Sequence, residues 1–472
     1  MRCLALADAL AEIGWKTVFA VRPETTATVA ALSTSGLGVL PITCAQESEP
    51  EFIKQRISGE PALLVVDHYE RDVGFEKSCR SWAHQILVFD DGTGRNHECD
   101  LLVDAAAQSA ADYSGRIPDD ARVLVGPRVA VLRRSFLVRR AAALARRDGR
   151  PVKNILVSFG ATDAAGMTVP ALDGLAGKFD EIILTVAISS RARCLEHVRR
   201  VVDARTRLVI DCDDMALLMS EADLAIGAAG AMAYERAALG LPAVILRAAE
   251  NQRGTARLFV DAGAAREVEF ASNNGMSELA GVVAHLIDDA SARIQMAHLA
   301  SRLVDGRGPN RLLWDIAGTG KTNAGDRILL RAAEPEDEAW LLDLQRQPQT
   351  RRYFRNPTAP EASEHHEWFR AALQDSAKWI AIIETERKPA GVIRLDRAVP
   401  AQSSGAFEIS IALHPQFYNR GIASAAMSVV CRLFRGATLN ADVMPDNMAS
   451  QRLFARAGFV QVRDDRFQKI HG

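Results

Sequence analysis

The 472-residue sequence contains no Cys-x-x-Cys pair, no apolar run of membrane length and no excess of charge of either sign. Each absence removes a class of function. The seven cysteines (Cys3, Cys44, Cys79, Cys99, Cys194, Cys212 and Cys431) are scattered and odd in number, which argues for reduced thiols and against a disulfide frame or a zinc site. No stretch approaches the ~20 apolar residues of a membrane span, and the chain does not open on a cationic-then-apolar signal. The expectation is a cytoplasmic protein with no membrane partner. The 57 Lys and Arg against 59 Asp and Glu leave a net charge of −2, without the basic excess that a nucleic-acid partner requires. A phosphate loop is missing too. Gly318-Thr319-Gly320-Lys321-Thr322 ends like one, but Asp315 stands where the first glycine is needed. That segment reads as linker.

What is present is alternation. Residues 2–13 carry Leu4, Ala7, Leu10 and Ala11 on one helical face and stop at Gly14. Short apolar strands at 17–21, 62–66, 85–89, 101–103 and 123–125 alternate with helical stretches, the pattern of a parallel sheet covered on both faces. Polar groups collect after two of these strands, as Asp67-His68-Tyr69 and Asp90-Asp91. Strand ends are where such sheets bind ligands. A strand-end aspartate is more often turn chemistry, so His68 is the most telling of these residues. The charged, Gly- and Pro-bearing stretch 143–153 marks a domain boundary.

A second series follows. The strand at 154–158 runs into a glycine loop with Gly160, Thr162 and Asp163. The most informative stretch is 223–252, DLAIGAAGAMAYERAALGLPAVILRAAENQ. It reads as a strand, a loop holding Gly227 and Gly230, a helix, a stop at Gly240-Leu241-Pro242, and a second strand. The glycines let a diphosphate approach the backbone, and the helix behind them presents unpaired N–H groups. Such a loop alone is a weak signal. Glu235, Arg236 and the polar end Asn251-Gln252 make it suit a nucleotide better than a bare turn.

That stretch resembles the UDP-sugar hydrolases of pseudaminic acid biosynthesis, as do RCLALADAL, VVDHY, Asp90-Asp91, LVGPRVAVLRRSF, SFGATD and DGRGPNR. The resemblance implies a GT-B arrangement of two Rossmann-like domains. It also implies metal-free cleavage of the anomeric C–O bond of a UDP-linked diacetamido-trideoxy-altrose. By the same resemblance Gly160, Thr162, Asp163, Gly227, Gly230 and Ala231 surround the diphosphate, Glu235 meets the ribose or uridine, and Asn251 and Gln252 line the sugar. Asp67, His68 and Tyr69 lie across the cleft, with Asp67 and His68 as catalytic candidates. Two departures stand out. Relatives precede the RCL helix with a strand and a Gly-x-Gly-His loop carrying the base for water, whereas this sequence opens at Met1-Arg2-Cys3. The expectation is a reading frame begun at an internal methionine, with genuine loss of hydrolysis as the alternative. Ala231-Met232-Ala233 also replaces small hydroxyl residues.

From Arg327 the pattern changes to successive strands at 379–383, 391–395 and 407–413 with helices before them, an α+β domain. It resembles the GNAT acetyltransferases through Asn419-Arg420-Gly421-Ile422-Ala423 opening a helix, and through Asn447, Ser450, Leu453, Phe454 and Gly458-Phe459. Tyr418 replaces the motif's first Gln or Arg. The resemblance implies acetyl-CoA as co-substrate, held by Arg420, Gly421, Ile422, Ala423 and Asn447. Phe454 stands where many relatives have a proton-donating tyrosine. Glu408 on a strand facing the loop is the candidate base, and His365 the candidate acceptor contact.

The expected fold is therefore α/β, with two Rossmann-like domains at 1–148 and 149–318, a linker at 319–326 and a GNAT domain at 327–472. The expected function is bifunctional: hydrolysis of a UDP-diacetamido-trideoxy-hexose, and acetyl-CoA-dependent N-acetylation of a UDP-amino-sugar, without a metal. The alternatives are a GT-B glycosyltransferase with a UDP-sugar donor, and a nucleotide-sugar-binding module that has lost hydrolysis, tethered to a working acetyltransferase.

Overall fold

The computed structural model describes residues 1–29, 32, 36–92, 94–179, 181–247, 252–269, 275–398 and 405–470. The chain divides into two compact units, Met1–Ala5 with Ala20–Gly308, and Leu6–Phe19 with Pro309–Gly472. Among the described residues no helix is long and apolar enough to cross a membrane, and all seven cysteines are free thiols.

The first unit opens with two separate sheets. Strands β1 (Val18–Val21) and β2 (Gly38–Pro41) pair with each other alone. Strands β3 (Leu64–Val66), β4 (Ile86–Phe89), β5 (Leu101–Asp104) and β6 (Arg122–Val125) form a parallel sheet in that order. The buried Ile86, Val88 and Leu102 pack with Trp82 and Tyr113 in one core.

The unit's other half is a six-stranded parallel sheet. Its strands are β7 (Asn154–Ser158), β8 (Ile183–Ile188), β9 (Thr206–Ile210), β10 (Leu224–Gly227), β11 (Ala243–Leu246) and β12 (Arg266–Val268), in the order β12-β11-β10-β7-β8-β9. The strands are continuously apolar because both faces are covered. Ile155, Val157, Leu224 and Ile226 join one core, while the alternate residues Leu156 and Ala225 join the other, the two-residue period of a strand. β12, at three residues, is too short to show a period in the sequence.

Three features cross the expected boundaries. The Arg134–Ala145 helix, expected in the first domain, buries Phe136 and Ala143 in the core of the second sheet. Arg140 on that helix donates to the carbonyls of Ser301 (2.6 Å) and Val304 (3.0 Å). Residues 6–19, also expected there, pack in the second unit. Trp15 Nε1 donates to the Leu433 carbonyl at 2.6 Å, Glu12 pairs with Arg397 at 2.6 Å, and the Arg435 guanidinium lies 4.1 Å from the Trp15 ring centre. The linker at 319–326 begins with a strand, because Gly320 lets that backbone lie against the Ala425 carbonyl, where a Cβ would stand at 2.8 Å.

The second unit is one eight-stranded sheet. Its strands are β13 (Thr319–Lys321), β14 (Arg327–Ala332), β15 (Lys378–Thr385), β16 (Lys388–Arg397), β17 (Ala406–Leu413), β18 (Thr438–Asp442), β19 (Val460–Arg463) and β20 (Arg466–Ile470). The order is β13-β14-β15-β16-β17-β18-β20-β19. All neighbours are antiparallel except β17 and β18. Trp314, Trp379, Phe407 and Phe434 cluster in its interior at centroid separations of 5.1 to 6.4 Å, edge-on except for the tilted Trp314–Phe434 pair.

In the first unit Gly308 opens a helix against Ala130, where a Cβ would collide with the Ala130 carbonyl oxygen and stand 2.7 Å from its carbon. Neither neighbour is a side chain that can swing away. Gly308→Ala is expected to destabilise the unit by about 1–3 kcal/mol, as overpacking does, read as a lower urea midpoint of the full chain.

Candidate functional site

The order of the six-stranded sheet decides where a ligand can sit. The chain runs outward from β7 through β8 and β9, then crosses back to β10 on the other side of β7. That reversal places a crevice at the carboxyl ends of β7 and β10, where doubly wound sheets bind ligands. Ser158 and Gly227 are register partners, so the loops after the two strands leave side by side. A Cβ on Gly227 would run into the Ser158 carbonyl oxygen and stand 2.6 Å from Arg236 Nη1. Only glycine allows this approach. Gly160 is needed for another reason: it turns the loop after β7 at φ 93°, a conformation open to few other residues.

After Gly227 the chain enters the Ala231–Ala238 helix. Among the described residues no group accepts from the Ala229 or Gly230 amides, and the first helical amides have no intrahelical partner. Gln252 is brought to the same place, with its Nε2 4.0 Å from the position of a Gly230 Cβ. Glu235 is half-buried one turn in. Burial pushes its carboxyl up to about 7, against the opposing pull of Arg236, the chain amine and Arg133. Thr162 is half-buried in the neighbouring loop. Asp163 is buried and occupied differently: its carboxylate accepts from the amides of Met167 (2.9 Å) and Thr168 (2.8 Å), which shapes the loop. Asn251 lies outside the described residues.

The strand-end residues of the first half form a second cluster. Arg2 reaches Asp67 at 2.7 Å and Asp91 at 2.6 Å, and the Tyr69 hydroxyl donates to Asp91 at 3.0 Å. Burial acts to raise the Asp67 carboxyl, but the hydrogen bonds and charge of Arg2 outweigh it and hold it below its ordinary range. His68 Nδ1 accepts from the Glu70 amide at 3.0 Å, so its proton sits on Nε2 and its remaining nitrogen is a donor. Burial and the Arg71 charge lower its pKa. Arg2 was missed in the sequence because nothing local marks it; its partners are 65 and 89 residues away.

Beneath this cluster lies a buried network. His97 Nδ1 sits 2.8 Å from Glu76 Oε1, and its Nε2 lies 3.6 Å from Asp90 Oδ2. Tyr113 Oη is 3.0 Å from Asp90 and 2.7 Å from Asp104. Burial alone would lower the His97 pKa, but Asp90 and Glu76 overrule it and lift it to about 9. Asp90 is held down to about 2, burial being outweighed by His97, Arg95 and Tyr113.

In the second unit β17 and β18 pair only from Ala406 to Glu408 and from Thr438 to Asn440, after which the two parallel strands part. Glu408 stands at the fork. Arg355 Nη2 bridges Glu408 (2.7 Å) and Asp442 (2.6 Å), a pairing across 53 and 87 residues that sequence reading missed. Gly421, at φ 76°, opens the Ile422–Leu433 helix. Arg420 lies 3.6 Å from Asp326, Ile422 is buried and Ala423 half-buried. Asn447 caps the Met448–Arg456 helix, its side chain accepting from the Ser450 amide at 3.1 Å. Phe454 is core, edge-on to Phe459 at 5.0 Å.

His365 is corrected. It is 2% exposed, stacked 5.9 Å from Phe369, and neither ring nitrogen makes a hydrogen bond. Its helix turns it into the core, while the exposed neighbour His366 pairs with Glu338 at 2.8 Å. Among the described residues no group of three or more His, Cys, Asp or Glu is arranged to hold a metal.

Comparison with known proteins matches residues 327–460 to the acetyltransferase (GNAT) domain family. The C-terminal part is a GNAT domain. Residues 197–306 match the glycosyltransferase family 28 C-terminal domain, which contains the Gly227 loop and the helix after it. An uncharacterized protein of Methanocaldococcus jannaschii is 21% identical over 90% of this chain and 86% of its own, an alignment that must run through the GNAT domain as well. The spore coat polysaccharide biosynthesis protein SpsG of Bacillus subtilis is 28% identical over 55% of this chain and 77% of its own. The UDP-2,4-diacetamido-2,4,6-trideoxy-beta-L-altropyranose hydrolase of Campylobacter jejuni is 27% identical over 44% of this chain and 73% of its own. Among solved structures, the spermidine N-acetyltransferase of Vibrio cholerae, in complex with CoA and spermine, matches 30% of this chain and 95% of its own at 18% identity and a TM-score of 0.28.

The buried network sets a pH dependence. Protonated His97 stabilises the folded state because its pKa there is raised above that of the unfolded chain. That contribution is complete below about pH 6.5 and is lost as pH rises toward 9. Urea unfolding of the full chain should therefore lose up to about 3 kcal/mol over this interval, and His97→Gln should remove that slope.

Proposed function

We propose that the chain is a bifunctional nucleotide-sugar enzyme. Its first unit hydrolyses a UDP-diacetamido-trideoxy-hexose to free sugar and UDP. Its GNAT domain N-acetylates a UDP-amino-sugar with acetyl-CoA, in the route to pseudaminic or a related nonulosonic acid. The observation that carries the first activity is the pair of glycine loops leaving Ser158 and Gly227 side by side at the switch point. The family 28 match and the hydrolase relative support a nucleotide-sugar as the ligand class.

In the hydrolysis, water attacks the anomeric carbon as the bond to the diphosphate oxygen breaks, and the proton it gives up passes to solvent. The charge left on UDP is received by the Ala229 and Gly230 amides and the start of the Ala231–Ala238 helix. Glu235 faces the ribose, where a carboxyl near pKa 7 can accept or donate a hydrogen bond.

For acetyl transfer, the free amine attacks the thioester carbonyl and its proton passes to Glu408, while the departing thiolate is protonated from solvent. The parting of β17 from β18 gives the acyl arm a place between them, and the amides behind Gly421 suit its pyrophosphate. Asn447 is left with its amide donors, since its oxygen is spent on the cap.

A second reading, a nucleotide-sugar-binding module beside a working acetyltransferase, is favoured by one observation. Asp67, His68 and Tyr69 are each engaged, and the outward nitrogen of His68 is a donor. Incubating the full chain with the UDP-sugar and water as sole acceptor separates the readings. Hydrolysis releases UDP; the binding module and a glycosyltransferase release little.

Two variants test the placements. Glu235→Ala should weaken UDP binding by about tenfold, the loss of one charged hydrogen-bond partner, in calorimetry; unchanged affinity would remove the nucleotide from this helix. Gly421→Glu should abolish acetyl-CoA turnover, since φ 76° disfavours any side chain and the new charge would face a pyrophosphate. Normal turnover would refute the site.

A further inference from the structure

The Ala231–Ala238 helix carries a charge that no carboxylate among the described residues pairs with. Arg236 is 2% exposed, yet among the described residues no carboxylate lies within 4 Å of its guanidinium. Its Nη2 donates to the Ala228 carbonyl at 2.7 Å, and its Nε is buried with no partner. Nη1 makes no hydrogen bond with the described residues and lies beside Gly227, 2.6 Å from where a Cβ would stand. A buried arginine without a paired anion is costly. Burial lowers its pKa to about 10, with Glu235 pulling the other way, so the side chain is still charged at neutral pH.

Its position gives that charge a use. The guanidinium lies against the loop that follows β10, where Gly227 meets the end of β7. By drawing the Ala228 carbonyl inward it also fixes the next peptide. In a planar trans peptide the C=O and N–H point opposite ways, so the Ala229 N–H points away from the guanidinium. Nothing among the described residues accepts from that N–H.

We propose that Arg236 is the buried counter-charge and positioning residue of an anion site on this loop, turning the Ala229 amide toward a diphosphate and balancing that ligand's charge from below. The inference deepens the nucleotide reading of the first unit and rests on it for the identity of the ligand, a nucleoside diphosphate. It assigns to one side chain both the orientation of the loop and the preference for an anion.

Calorimetry on the full chain with inorganic pyrophosphate, UDP and uridine tests it. Arg236→Gln keeps a donor for the Ala228 carbonyl without the charge, and Arg236→Lys keeps the charge. The expected result is a loss of about tenfold or more in pyrophosphate and UDP affinity for Arg236→Gln. Uridine affinity should stay within about twofold, and Arg236→Lys should recover part of the loss. Equal weakening of uridine and UDP would mean simple support of the loop and would overturn the proposal, as would unchanged pyrophosphate affinity. Pyrophosphate binding that depends on Arg236, with no UDP binding in the wild type, would keep the anion site and discard the nucleotide reading. A wild type that binds none of the three discards both. Should Arg236→Gln fail to fold, a pyrophosphate affinity for Arg236→Lys equal to wild type with a lowered uridine affinity overturns the proposal, and the reverse split supports it.

Discussion

The first unit's site depends on one close approach, that of β10 to β7 where Gly227 faces the Ser158 carbonyl. A methyl group there would push the strands apart or displace the Arg236 guanidinium. Because the approach is tolerated, two loops emerge at the same level, and the helix that follows starts at the floor of the crevice. Its unpaired amides then point at whatever occupies the space. The stop at Gly240, at φ 58°, ends that helix and lets the chain enter β11 directly beside β10. The neighbouring β11 and the switch in strand order follow from the same stretch.

Charge is handled in two distinct ways in this unit. His97, Glu76, Asp90 and Tyr113 are buried together: Asp90 and Glu76 raise the His97 pKa against burial, and His97, Arg95 and Tyr113 lower that of Asp90. Such a network is stable only when every member is present, which suits a frame under the Asp90-Asp91 turn. Arg236 is the opposite case, buried with no carboxylate within 4 Å among the described residues, and the proposed anion would balance it.

The second unit uses an antiparallel sheet for the same general purpose. Its single parallel pair, β17 with β18, is joined over three residues and then forks, and a sheet that forks exposes backbone groups between its strands. Glu408 sits at that fork with Asp442 opposite it, joined through Arg355. The base proposed for acetyl transfer is thus held by an ion pair from a loop 53 residues earlier, so its availability is linked to where that loop lies.

The sequence by itself determined the elements and their class. Continuous apolar runs such as 154–158 and 224–226 read as buried strands because both faces of a parallel sheet are covered. Glycine loops read as ligand turns because their spacing is local, and the change at Arg327 read as a new domain because strands ceased to alternate with helices. Tertiary structure decided what has no local pattern. His365 and His366 are neighbours on one helix, and only packing sends the first into an aromatic core and the second to Glu338. Residues 6–19 have an apolar face that fits either unit, and the partners of Trp15 and Glu12 lie about 400 residues on. Arg236 reads as a routine helix arginine until the fold removes its water and leaves it no carboxylate among the described residues. Periodicity and turn chemistry act between residues a few positions apart, so a sequence records them; desolvation and ion pairing act between residues that only the folded chain brings together.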